Sequence, residues 1–244
     1  MNMKIAGLTL ALLTSVFAVN ANAGCYDISR TNLQTVVNNV RASDTTGGLK
    51  LDMWITVVNE TGKVCYVVNT STKGVYSGNQ QWLGSRIISA QKANTGNAFS
   101  LDTLAISSGA LYAAVQPGGS LYGLQESNPV DAQAAYHGPA ENFGKVNDPI
   151  VGQRIGGINV FGGGLPLYKN GKKIGGIGVS GDTSCTDHAF AWAVRHNLGL
   201  EPGSGVGLVE KLKLTNTFAA LGDHPSCIGA AITDQSGFQA APAP

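Results

Sequence analysis

Apolar positions along this chain follow two periods, with glycine-rich breaks between the runs. Ile28, Leu33, Val36, Val37 and Val40 recur at helical spacing and predict an amphipathic helix over 27–42. Leu51–Val58 and Val64–Val68 are strand-like, and Asn59-Glu60-Thr61-Gly62-Lys63 joins them as a hairpin loop. Trp82, Ile87, Ile88 and Ala93 predict a second helix over 81–95, with Lys92 near its end. Leu101–Val115 is short, apolar and reads as helical. From Pro117-Gly118-Gly119 an irregular stretch runs to Ile150, and connections of that length inside a compact domain are usually functional or disordered.

The most informative stretch is Val160–Leu200. Asn170-Gly171 is a strong hairpin signal, because a type I′ turn needs positive φ at both central positions. It closes a second hairpin over about 156–180. In its second strand Ile174, Ile177 and Val179 alternate imperfectly with glycines, the mark of a buried strand approached closely by another backbone. Thr183 or Ser184 then caps a helix over 184–197. Phe190, Val194 and Leu198 form its core stripe, while His188, Trp192 and His196 fall on roughly the opposite side. A singly packed helix is polar there, so this second stripe covers another layer, meets a subunit, or faces a ligand. The two histidines stand about 12 Å apart, too far to share one metal ion but within the span of a flat macrocycle.

The order Gly163-Gly164-Leu165-Pro166, hairpin, Gly175-Gly176-Ile177-Gly178-Val179-Ser180-Gly181, then Asp187 on an alanine-bearing helix resembles the GlcG/HbpS-type haem-binding proteins. The C-terminal domain of PduO-type corrinoid adenosyltransferases is similar, and Lys92-Ala93-Asn94-Thr95 matches the family's lysine-alanine-x-threonine helix. The likeness spans most of the chain in order. It departs from the compact pattern in the length of 116–150, in Cys185 and Cys227, and in a tail after the last helix. The resemblance implies an α/β fold, a profilin-like or PduO-C-like sandwich with a central antiparallel sheet flanked by helices. It also implies haem or another tetrapyrrole as ligand, and a homo-oligomer.

Composition narrows the classes. Lys4 is the one charged residue in the first 23, so the remaining 15 basic and 15 acidic groups cancel, and no basic patch invites nucleic acid or an anionic membrane. Residues 1–23 read as a signal peptide: Lys4, an apolar Ile5–Val19, and Ala21-Asn22-Ala23 for cleavage, with no stretch suited to a stable membrane span. A periplasmic or secreted location follows, with one domain over 24–236, the 116–150 segment as an insertion, and a disordered 237–244 tail. In an exported chain four cysteines are read as disulfides first; of three possible pairings, Cys25–Cys65 and Cys185–Cys227 are expected. No CxxCH occurs, which excludes c-type haem attachment.

Gly176-x-Gly178-x-x-Gly181 formally matches a dinucleotide fingerprint, but its glycines belong to a hairpin strand and open no βαβ unit. Zinc at Cys185 and His188 competes with a disulfide. Tyr136-His137-Gly138-Pro139 is the most ligand-like loop, since Tyr and His both ligate haem iron; His137 could equally cap its own turn. The candidate ligand-binding residues are therefore Tyr136, His137, His188, Trp192, His196 and His224, with His137 or His188 at the iron. Three functions stay open: an exported haem-binding protein, an oligomer-forming protein using the Trp192 face, and an enzyme acting on a small metabolite, for which no residue predicts turnover.

Overall fold

The computed structural model describes residues 25, 27–43, 48–71 and 82–227. The expected signal peptide and the 237–244 tail lie outside them. Helix α1 (Arg30–Ala42) is capped by the Ser29 hydroxyl, which accepts the Asn32 amide at 3.1 Å. It is followed by β1 (Trp54–Asn59), β2 (Val64–Asn69), α2 (Ser85–Ala98) and β3 (Leu104–Ile106). Two short helices, α3 (Leu124–Ser127) and α4 (Ala132–Ala135), precede β4 (Gly164–Lys169), β5 (Lys172–Ser180) and α5 (Ser184–Leu198). Three short strands close the described chain: β6 (Gly207–Val209), β7 (Lys213–Leu214) and β8 (Asp223–His224).

β2, β1, β5 and β4 form an antiparallel sheet in that order, covered by helices on both faces. Strand alternation divides the core. Ile55, Val57, Leu165, Leu167, Ile177 and Val179 pack against Leu33, Val36 and Val37 of α1 and Phe190 and Val194 of α5. Trp54, Val58 and Val67 pack on the other side against Ile87, Ala90 and Ala93 of α2. The hairpin β4–β5 turns at Asn170 (φ 51°) and Gly171 (φ 74°), as expected for type I′. It begins at Gly164, later than 156, because 157–163 run along α2, where Asn159 donates to the Thr95 hydroxyl at 3.0 Å.

The backbone that approaches β5 is α2. A Cβ on Gly178 would sit 1.9 Å from the Ser89 carbonyl oxygen and 2.4 Å from the Ala93 nitrogen. One on Gly176 would sit 2.3 Å from the Ala93 oxygen. Two glycines on one strand face thus let a helix rest directly on the sheet, with Thr56 and Ser89 hydroxyls bonded at 2.6 Å beside the contact.

Two expectations change. Leu101–Val115 is not a helix: it forms β3, then single 3-10 turns at Gly109–Leu111 and Ala113–Val115. Ser107 and Ser108 divert it, their buried hydroxyls donating to the Glu210 and Phe161 carbonyls instead of tolerating a helix ladder. The 116–150 segment is neither disordered nor structureless. Asp148 takes the Arg86 guanidinium and the Gly144 and Ile150 amides, Phe143 lies under Arg86 at 3.8 Å, and Ala135 and Ile150 enter the α2-side core. Both expected disulfides form, Cys25–Cys65 and Cys185–Cys227.

Gly178→Ala should destabilise the protein by at least about 3 kcal/mol in urea unfolding, because the atoms met are backbone and cannot rotate away. Gly84→Ala, at φ −62° with open space around the added carbon, should stay within about 1 kcal/mol of wild type.

Candidate functional site

β5 ends at Ser180, and the turn into α5 is organised by Asp182. Its carboxylate accepts the amides of Leu49 (2.8 Å), Leu51 (2.9 Å) and Thr183 (2.6 Å). Thr183 caps α5 by accepting the Thr186 amide, so the first turn of α5 is held beside the end of β5. On that turn Asp187 is buried and bonded to Lys92 of α2 at 2.9 Å. Lys92 also donates to the Val179 carbonyl at 3.0 Å, and Asp187 accepts the Asp182 amide at 3.0 Å. Burial pushes Asp187 up to about 6, against the pull of the Lys92 ammonium. Gly163 lies across the pair; a Cβ there would sit 2.4 Å from the Val179 oxygen and 3.1 Å from Asp187 Cβ.

The pair floors a cleft of about 260 Å³ between α2 and the start of α5. Ser85, Ile88 and Lys92 supply one wall from successive turns of α2; Ser180, Gly181, Asp182 and Ser184 supply the opposite one. Trp82 and Phe161 stand at its lining, 54 % and 47 % exposed. Phe161 continues into an aromatic shelf: its ring lies 6.2 Å from Tyr112, which lies 5.1 Å from Phe218 and 5.3 Å from His224.

The histidines singled out in the sequence do not converge here. His188 is buried; the Gly163 amide points at Nδ1 (3.3 Å) and the Trp192 indole N–H at Nε2 (3.1 Å). A neutral imidazole has one lone pair, so it accepts one of these donors and leaves neither nitrogen open. Trp192 belongs to the α1-side core, with Arg195 stacked on its ring at 4.5 Å, and so offers no face to a second copy. Arg195 pairs with Glu210 at 2.6 Å, which brings the returning 207–227 segment over this side of α5. His196 is on the surface, bonded to Glu201 at 3.0 Å. His224 is buried, with Nδ1 donating to the Pro225 carbonyl (2.9 Å) and Nε2 facing the Gly162 amide (3.4 Å). Tyr136 and His137 are exposed on the segment after α4; His137 Nδ1 bonds the Ala134 carbonyl at 2.6 Å, capping its turn.

Among the described residues no group of three or more His, Cys, Asp or Glu is placed to hold a metal ion. No described helix is long and apolar enough to cross a membrane. Trp82, Ser85, Ile88 and Phe161 carry no sequence signal of a shared site. Lys92 and Asp187 do, through the family-like Lys92-Ala93-Asn94-Thr95 helix and the Asp187-bearing helix.

Fold and site together define an α/β sandwich with a central antiparallel sheet and a small cleft over a buried Lys–Asp pair. A family model described as "Haem degrading protein HbpS-like" matches residues 28–195, and the chain belongs to this family. The chain is 42% identical over 78 residues to an uncharacterised 15.0 kDa protein from the dhaT-dhaS intergenic region of Citrobacter freundii. That match covers 32% of this chain and 37% of the relative, so the chain spans little more than a third of the curated relative's length. Similar solved structures include protein ORFY of Klebsiella pneumoniae, 23% identical over 70% of this chain and 88% of that one, TM-score 0.46. A PduOC:haem complex is 21% identical, covering 72% of this chain and 97% of that one, TM-score 0.47. A double mutant of Streptomyces reticuli HbpS is 15% identical, covering 79% and 97%, TM-score 0.39.

The two buried histidines make stability acid-sensitive. Burial pushes His188 down to about 3 and His224 down to about 4. Both bind protons near pH 6.5 when unfolded and not when folded, so their contribution is complete above pH 6.5 and lost as pH falls toward 4. The urea midpoint should drop across that window, and His224→Gln should flatten the drop. Asp187, raised when folded, works in the opposite sense and loses stability as pH rises through about 6.

Proposed function

We propose that this chain binds haem or a related tetrapyrrole non-covalently on the aromatic shelf beside the cleft. The observation that carries the reading is the run of partly exposed rings, Trp82 at the cleft and Phe161, Tyr112 and Phe218 beside it, in a member of the HbpS-like family. Flat apolar rings suit the faces of a macrocycle. The cleft, at about 260 Å³, is below the usual 300–1,000 Å³ of ligand sites. It therefore does not enclose a whole porphyrin, and the shelf is the surface that fits one.

Of the two iron-ligand candidates named from the sequence, His137 and His188, we assign His137 on the exposure of its ring alone, and the shelf contacts do not depend on it. A metal-bound histidine commonly donates its second ring N–H to a backbone carbonyl, and His137 does so to Ala134, which leaves the Nε2 lone pair without a bond among the described residues. His188 and His224 already have both nitrogens facing protein partners. Bound haem would supply redox and ligand-binding chemistry; the protein's part would be to hold it through the rings of Trp82, Phe161, Tyr112 and Phe218 and to offer a histidine nitrogen. Two disulfides and the leader-like first 23 residues support export to an oxidising compartment. The exposed Trp82 and Leu83 support a homo-oligomer in which copies share the apolar rim.

Hemin added to the oxidised protein should give a sharpened Soret band, with Trp82→Ala and Phe161→Ala each weakening binding about tenfold, a loss of roughly 1.4 kcal/mol. His137→Ala should shift the ferric spectrum yet leave the affinity for iron-free protoporphyrin unchanged. A hemin spectrum indistinguishable from that of hemin in buffer would dispose of the reading.

A further inference from the structure

The floor of the cleft has a chemistry that porphyrin stacking does not use. Among the described lining residues Lys92 is the only cation; it is 2 % exposed and has three ammonium protons. Two go to the Val179 carbonyl and Asp187; among the described residues the third has no partner. Of the two lining carboxylates, Asp182 is held by three backbone amides, whereas Asp187 holds one amide and Lys92 itself. Above them the wall is apolar: Trp82, Ile88 and Phe161. We propose that the cleft binds a small organic carboxylate, which replaces Asp187 as the partner of Lys92, and that Asp187 takes up one proton from solvent as it is displaced.

Charge balance dictates the coupling. One carboxylate cannot enter beside a neutralised Lys–Asp pair without adding an uncompensated buried charge, and such a charge is costly. If the incoming group pairs with Lys92 while Asp187 becomes a neutral carboxylic acid, the floor keeps its net charge. The proton comes from water and stays on an Asp187 oxygen, and no covalent bond within the ligand changes. Asp187 is suited to this exchange because burial already brings its carboxyl up to about 6 in the empty cleft. The charged groups facing it are Lys92 from α2 and Asp182 from the turn before α5. His188 beside it, and His224 beyond, are neutral above about pH 4 and leave the charge count unchanged. The Gly162–Gly164 strap that covers the pair brings no ionisable group.

The carboxylate has two possible sources: a free small acid, or a propionate of the tetrapyrrole proposed above. Only the second rests on that proposal, and the test separates them. Benzoate, whose ring suits the Trp82 and Phe161 wall, is titrated calorimetrically into the oxidised full chain between pH 5.5 and 8 in buffers of different ionisation enthalpy. Affinity should be highest at or below pH 6 and fall towards tenfold per pH unit above it, with close to one proton taken up per benzoate at pH 7.5. Asp187→Asn, which imitates the protonated partner at the same size, should keep the low-pH affinity and lose the pH dependence. Lys92→Met should lose at least tenfold in affinity; if it fails to fold, the Asp187→Asn result decides alone. In parallel, hemin and its dimethyl ester are titrated with and without benzoate. Competition with hemin, and weaker binding of the ester, assign the site to a propionate; benzoate binding with hemin undisturbed or unbound assigns it to a free acid. No benzoate binding at pH 6, binding without proton uptake, or an unchanged pH slope in Asp187→Asn overturns the proposal.

Discussion

Helix α2 rests on the sheet with no side chain between its backbone and β5 at Gly176 and Gly178. The separation there is set by backbone atoms, so it cannot drift as a contact between flexible side chains could. Everything about the site follows from that closeness. A lysine reaching from α2 finds the end of β5 and the first turn of α5 within the length of its side chain, and Lys92 bonds both. Farther off, the same lysine would meet water, and the cleft above it would lose its charged floor.

Three buried ion pairs tie outlying segments to this central contact. Arg86 with Asp148 draws in the long connection, Lys92 with Asp187 joins the two helices across the sheet, and Arg195 with Glu210 draws in the returning 207–227 segment. Such pairs contribute little net stability, since desolvation offsets their attraction, yet losing one partner costs about 3–5 kcal/mol. Their effect is selective: each allows one placement of the segment it holds. The disulfides act alike, with Cys25–Cys65 holding the start of the described chain to β2 and Cys185–Cys227 holding its end to α5. Stability and placement come from different sources here, apolar burial on both sheet faces for the first and charge pairing for the second.

A site assembled in this way is small, about 260 Å³, because a helix seated on backbone leaves little room beside it. Two buried histidines pack beside it. His188 and His224 fill the space around the Gly162–Gly164 strap as neutral hydrogen-bonding groups, and the apolar face of α5 continues through Trp192 into the core.

Local chemistry was legible in the sequence where neighbours decide it. Asn170-Gly171 set the hairpin turn through positive φ, Thr183 set the start of α5 through its hydroxyl, and the glycine pattern of β5 announced that some backbone would lie against it. Helical spacing found α1, α2 and α5 to within a few residues, and the two cystines are the pairing expected from an even four cysteines. Leu101–Val115 misled, because apolar content there says nothing of serine hydroxyls whose partners lie as far off as Glu210. The stripe of His188, Trp192 and His196 does not act as one face: Trp192 joins the α1-side core, His196 stays on the surface, and the approach of the 207–227 segment to α5 depends on Arg195 meeting Glu210, a contact with no periodic trace. Likewise Trp82 and Phe161 carry no motif, and the family-like segments that hold Lys92 and Asp187 give no distance between those two side chains. Only tertiary packing brought them to one cleft, because what defines it is the distance between two elements and not the order of residues within either.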